Sequence, residues 1–266
     1  MAHLTGSFAP LVTPFTDGGN TLSEVRLARL VRFLLEKGVQ GFVVNTDLGE
    51  FTSTSFSERK LVLEIVHRES RGAIPIVAHV TTLNTAASLD LAQHAQRHGA
   101  RAVLIMPPYY GNFTDSEITK HLKTVQQYCT LPVIIADPDH KVSPEARAEV
   151  LTMPQVTFAT AIQGFSAHPE FSTFQWADGE AVCSPLVSVF GSFHARQDQA
   201  LLKTWGLNMA DMGAVRLLKS AYSCFDLDVG SCRSPYLPLT GPQLNVVRAL
   251  AMLARAKEKA TGVPAA

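Results

Sequence analysis

"LARLVRFLLEKGVQGFVV", residues 27–44, sets the grammar of the chain. Apolar residues recur at helical spacing as far as Lys37, Gly38 stops the helix, and "GFVV" follows as a short uninterrupted apolar run, the mark of a strand buried on both faces. "LAQHAQRHGARAVLIM", residues 91–106, repeats the arrangement around Gly99.

Further apolar runs lie on either side: "SFAPLVTP" (7–14), "IPIVAHV" (74–80), "PVIIA" (132–136) and "VTFATA" (156–161). Helix starts are signalled between them. Thr21 with Glu24, Ser55 with Glu58 and Thr114 with Glu117 have the spacing of a capping box, in which hydroxyl and carboxylate satisfy orphan N–H groups. Ser143-Pro144 reads as an N-cap followed by proline at the first helical position. One strand–helix unit every ~25–35 residues predicts an α/β fold, a (β/α)8 TIM barrel. A doubly wound sheet is the alternative, but no GxGxxG follows the first strand. Between about 165 and 212 the period blurs around "FSTFQWADGEAVCSPLVSVFGSF", so units seven and eight are expected to be shortened or rearranged. "PQLNVVRALAMLARAKEKA", from Pro242, reads as a last helix. With no linker to divide it, residues 1–266 are expected to form a single domain, a barrel over 6–212 followed by C-terminal helices over 213–260.

Composition narrows the function. Hydrophobic residues make up 46% and charged residues 17%, as in a globular enzyme, and Lys+Arg balance Asp+Glu at 23 each, so no field draws in nucleic acid. No apolar run approaches the ~20 residues of a membrane span, and the first residues lack the pattern of a secretion signal. The four cysteines lack CxxC spacing and are expected as free thiols in a cytoplasmic protein.

In a barrel of this kind chemistry sits at the carboxyl ends of the strands. Thr13, Thr46-Asp47-Leu48, His79, Tyr109-Tyr110, Asp137 to Lys141 and Thr160 are placed there. His67, His94, His98 and His121 fall on helix patterns and are expected at the surface; His168 and His194 lie in the blurred region. Lys37, Lys60, Lys120, Lys123, Lys203, Lys219, Lys257 and Lys259 are expected to face outward from helices.

"FAPLVTPF" (8–15), "GVQGFVVNTDLGEFTSTSFSERKLVLE" (38–64), "GARAVLIMPPYY" (99–110), "LPVIIADP" (131–138) and "CRSPYLPL" (232–239) resemble successive blocks of the dihydrodipicolinate synthase / N-acetylneuraminate lyase family. The resemblance implies a class I aldolase barrel that binds pyruvate or a related 2-oxo acid as a Schiff base, and assembly as a homodimer or homotetramer. It also implies a lysine ending the sixth strand, whose amine attacks the ketone. Here that position reads as Thr160, and no lysine lies between Lys141 and Lys203. The family's Gly-Thr-Thr-Gly-Glu loop reads Thr46-Asp47-Leu48-Gly49-Glu50, which sets a carboxylate where an anionic substrate would bind. The family's tyrosine and asparagine after the fifth strand are Ala136 and Asp137. Tyr109 and Tyr110 match the family's tyrosine pair, and Lys141 matches its carboxylate-holding arginine.

Three readings follow. The first is a lyase, dehydratase or cyclase acting on a small carbonyl or carboxylate compound without a lysine imine. Its catalytic residues would be His79, Asp47, Asp137 and Tyr110, and Lys141, Tyr109, Thr46 and Thr160 would bind substrate. The second is a catalytically inactive member kept as a ligand- or partner-binding subunit, and the third a Schiff-base enzyme using a displaced Lys141. No cofactor is expected, although the acids and His79 leave room for a divalent metal.

Overall fold

The computed structural model describes residues 4–163, 173–191, 200–201, 203–205, 208 and 212–260; His168 and His194 lie outside them. Five strand–helix steps and a sixth strand open the chain. They are β1 (Gly6–Pro10), α1 (Glu24–Glu36), β2 (Gly41–Val44), α2 (Phe56–Ser70), β3 (Ile76–His79), α3 (Thr85–Arg97), β4 (Ala102–Ile105), α4 (Asp115–Tyr128), β5 (Val133–Ile135), α5 (Pro144–Leu151) and β6 (Val156–Phe158). Then come β7 (Thr160–Gln163), β8 (Thr173–Trp176), β9 (Ala181–Cys183), α6 (Val187–Phe190), α7 (Ala214–Ser223) and α8 (Gly241–Ala260). Among the described residues no helix is long and apolar enough to cross a membrane.

The sheet runs β6-β5-β4-β3-β2-β1-β9-β8-β7. β1 to β6 are parallel, and β9 lies parallel to β1. Segment 156–163 joins the two ends of that order: Ala159 N–H donates to Ile135 O on β5 at 2.8 Å, and Thr160 pairs with Gln175 on β8. The sheet therefore closes through the covalent chain as a TIM-type barrel of the expected class. The rearrangement expected in its last units is a reversal. β8 is antiparallel to both neighbours. Only residues 164–172 separate β7 from β8, whereas a parallel return needs a crossover of a dozen or more residues.

Alternation divides the strands between two cores. Phe42, Val44, Ile76, Ala78, Val103, Ile105, Val133, Ile135, Val156 and Phe158 face outward into the layer shared with the helices. Phe8, Val43, Val77, Ala102, Ile134, Trp176 and Ala181 fill the barrel, with Leu104, Ala159 and Cys183 packed on them. Phe8 fits because Gly41 has no side chain: a Cβ there would stand 2.2 Å from the Phe8 ring.

The capping boxes at Ser55/Glu58 and Thr114/Glu117 form, and Ser143 caps α5 with Pro144 in its first turn. The start of α1 is corrected: Ser23, not Thr21, accepts the N–H of Arg26, and Thr21 instead bonds Thr16 across a turn. Lys219 is also corrected. It is buried on α7 against Glu50 rather than turned outward. His94 and His121, expected at the surface, are buried between helices.

Candidate active site

The carboxyl ends of the parallel strands surround a small cleft that opens to solvent. Its walls are mostly apolar: Pro10, Val43 and Leu48 from the first two units, Leu104 and Met106 from the fourth, Ala136 and Pro138 from the fifth, and Phe174 and Pro185 from the reversed part. Trp176 meets Phe8 edge-on at 5.3 Å, within the packed layer that fills the barrel.

His79 ends β3, lines this cleft and is held on both ring nitrogens. A carbonyl can only accept, so Nδ1–H donates to Asn45 O (2.7 Å). Nε2 then accepts the Thr81 hydroxyl (2.7 Å), whose oxygen accepts Met106 N–H (2.8 Å). Burial, and the nearby Arg59 guanidinium, push the ring down to about 3. His79 is thus a fixed neutral imidazole with both nitrogens engaged, an arrangement that positions Asn45 and Met106 but has no vacant acceptor for a proton. Arg59 is itself buried, donating to His79 O (2.6 Å) and Thr81 O (2.9 Å) behind the cleft wall.

The other residues singled out in the sequence do not converge. Ala159, not Thr160, is the inward residue at the end of the sixth strand; Thr160 is exposed, because Phe158 packs outward and the pleat alternates. Asp137 accepts the backbone N–H groups of Lys141 (2.8 Å) and Val142 (3.0 Å), ordering its own loop. Lys141 Nζ donates to Tyr109 O (2.8 Å) and Pro108 O (3.4 Å), so its ammonium holds one loop to another. Tyr109 packs edge-on against Phe51 at 5.6 Å, while Tyr110 is 78% exposed. Thr46 and Asp47 do line the cleft; Asp47 opens a single 3₁₀ turn and is exposed, and Thr46 Oγ1 is buried without a hydrogen-bond partner.

Three features escaped the sequence reading. Cys183 lines the cleft with its thiol pushed up to about 12 by burial, so it is a protonated, weakly reactive wall group. Trp176 Nε1 is buried and unpartnered. Glu50, from the loop after β2, turns away from the cleft to pair with Lys219 at 2.6 Å. Strand alternation carried through β8 and β9 finds the first two; the third joins segments too distant in sequence for any local pattern.

Among the described residues the one group of metal-ligating type that gathers three side chains is Glu64, His94 and His98. It lies on α2 and at the carboxyl end of α3, outside the barrel.

Residues 3–161, more than half the chain, match the Dihydrodipicolinate synthetase family. The chain belongs to that family. A 4-hydroxy-tetrahydrodipicolinate synthase of Methylobacterium radiotolerans is 37% identical over 134 residues, 50% of this chain and 44% of the relative. In that alignment the chain spans under half of its relative's length. An N-acetylneuraminate lyase of Salmonella paratyphi B is 29% identical over 291 residues, covering 93% of this chain and 96% of the relative. A structure of the Ruminococcus gnavus sialic acid aldolase, a catalytic lysine mutant, superposes with a TM-score of 0.82 at 20% identity, covering 97% of each chain. That likeness bears on the fold of this family member.

Proposed function

We propose that this protein is a family barrel without imine chemistry, whose mouth binds a compact, weakly polar molecule. One observation carries the reading: the side chain facing the cleft from the end of the sixth strand is the methyl of Ala159, where the resemblance calls for a lysine amine. The surroundings agree. Lys141 and Arg59 are both committed to backbone carbonyls, and among the described residues the wall holds no other cation, so a carboxylate brought into it loses several kcal/mol of hydration. Asp47 adds repulsion. Two buried polar atoms of the wall residues, Thr46 Oγ1 and Trp176 Nε1, lack partners, which suits a ligand with one hydroxyl or carbonyl on an otherwise apolar body.

A second reading, acid–base turnover of a small carbonyl compound, has Asp47 in its favour, the one carboxylate on the described cleft wall. Assembly as a homodimer or homotetramer belongs to the proposal as well, with the exposed Tyr110 at the contact, and light scattering on the purified protein checks it.

The deciding experiment incubates the protein with pyruvate and borohydride and reads adducts by mass spectrometry, with Ala159→Lys as positive control. No adduct on the natural chain and one on the variant is the expected result; an adduct on Lys141 of the natural chain defeats the reading. A thermal-shift panel should favour uncharged hydroxy and carbonyl compounds over 2-oxo acids. Product formation that disappears in Asp47→Asn would move the assignment to the second reading.

A further inference from the structure

We propose a divalent transition-metal site, of the kind that takes Zn²⁺, on the outside of the barrel between α2 and α3, formed by Glu64, His94 and His98. His94 lies in the last turn of α3 and His98 is the residue that caps it, and the contact between the two rings shows that they lie on one side of the helix end. The rings stack with centroids 4.1 Å apart and planes 18° apart. Glu64 reaches across from α2, its Oε1 lying 2.7 Å from His94 Nε2. One ligand atom from each of the three side chains falls within 4.8 Å of the others. Donors on a tetrahedral ion at about 2.1 Å stand roughly 3.4 Å apart, so binding must draw the set together and turn the exposed His98 ring out of its stack on His94, bringing both in-plane lone pairs onto the ion.

The two helices meet in a ladder whose rungs advance four residues at a time. Lys60 pairs with Asp90 at 2.6 Å on one rung, and Glu64 with His94 on the next. Lys60 is thereby neutralised by its own partner. The Glu64–His94 rung alone needs no second imidazole. His98 supplies one and is exposed, giving an ion a route in. Two imidazole nitrogens and one carboxylate oxygen form a borderline donor set, suited to Zn²⁺, Co²⁺, Ni²⁺ or Cu²⁺ rather than Ca²⁺ or Mg²⁺. His98 directly precedes Gly99 and the start of β4, so the site lies at the end of the barrel opposite the mouth. Its role is to clamp α2 to α3, with water completing the coordination.

The test uses untagged full-length protein stripped with chelator and titrated with Co²⁺, read by visible ligand-field absorption, with Zn²⁺ as competitor. Expected are saturation at about one equivalent, displacement by Zn²⁺, and a rise in melting temperature on the order of 5–10 °C when free Zn²⁺ is about a hundredfold above its dissociation constant. His98→Ala removes only an exposed side chain and should weaken binding at least about tenfold, as should Glu64→Gln. Absence of stoichiometric binding in the natural chain, or unchanged affinity in both variants, overturns the site.

Discussion

Lys219 Nζ and Glu50 Oε1 lie 2.6 Å apart, with side-chain exposures of 3% and 1%. The pair fastens α7 to the loop that follows β2. Lys219 also donates to Ser231 O (3.0 Å) and stands over the Phe15 ring at 4.5 Å, while Glu50 Oε2 accepts Arg233 N–H (2.9 Å). A buried ion pair adds little over a well-packed apolar pair, but breaking it strands a charge. Glu50→Gln or Lys219→Met should each cost about 3–5 kcal/mol. The double replacement should cost clearly less than the sum, measured by urea unfolding. Strict additivity would show that the two do not act as a unit.

His79 gives the fold an acid sensitivity whose sign is fixed. Its folded value, about 3, is below the 6.5 of an ordinary histidine. Above pH 6.5 the ring is neutral in both states and contributes nothing to the pH dependence. Below it the unfolded chain takes up a proton that the folded chain refuses, so stability falls by about 1.4 kcal/mol per pH unit down to about pH 3. Between pH 6.5 and 5 the loss should be about 2 kcal/mol. His94 and His121 are lowered by burial too and act in the same direction. The comparison is therefore with His79→Gln, which should be less stable at pH 7 but show a flatter denaturation profile across this range; parallel profiles would contradict the assignment.

Arg233 uses its whole guanidinium fork. It donates to Gly19 O, Asn20 O and Ser53 O and to both oxygens of Glu58, and it lies over the Phe15 ring at 4.2 Å. The contact holds the Glu58 carboxyl down to about 2. Arg233→Lys keeps the charge but not the planar set of donors. It should lose roughly 2–3 kcal/mol, read as a lower urea midpoint with an unchanged slope. Stability equal to that of the natural chain would reduce the network to surface decoration.

Gly41 on β2 is the direct pairing partner of Phe8 on β1. Gly41→Ala should cost about 1–3 kcal/mol by overpacking. Adding Phe8→Leu, which withdraws the ring edge, should recover part of the loss; no recovery would place the strain elsewhere.

The barrel is legible because the first six strands lie in compact apolar runs and most helices announce themselves by a cap. The cap of α1 was misplaced because Thr21 and Ser23 both offer a hydroxyl ahead of the same helix, and only the backbone path selects between them. Thr160 reads as the inward position because a single strand does not state its own register; the neighbours of Ala159 do. The reversed β8 was hidden, since its residues read equally well in either direction. Lys219 looked like an ordinary exposed helical lysine, because the carboxylate that justifies its burial is supplied by Glu50, far away in the chain. Asp137 and Lys141 lie on the loop that follows β5, where bonds to backbone atoms absorb them.

The reversed stave also alters how the ring can be assembled. β7, β8 and β9 meet through short connections and can zip up among themselves, so the strand pairing between the most remote parts of the chain is the one seam where Gly6, Ser7 and Phe8 meet Ala181, Val182 and Cys183. Such distant pairings carry the largest loop-closure cost and tend to form late. The amino-terminal strand thus becomes the latch of the cylinder.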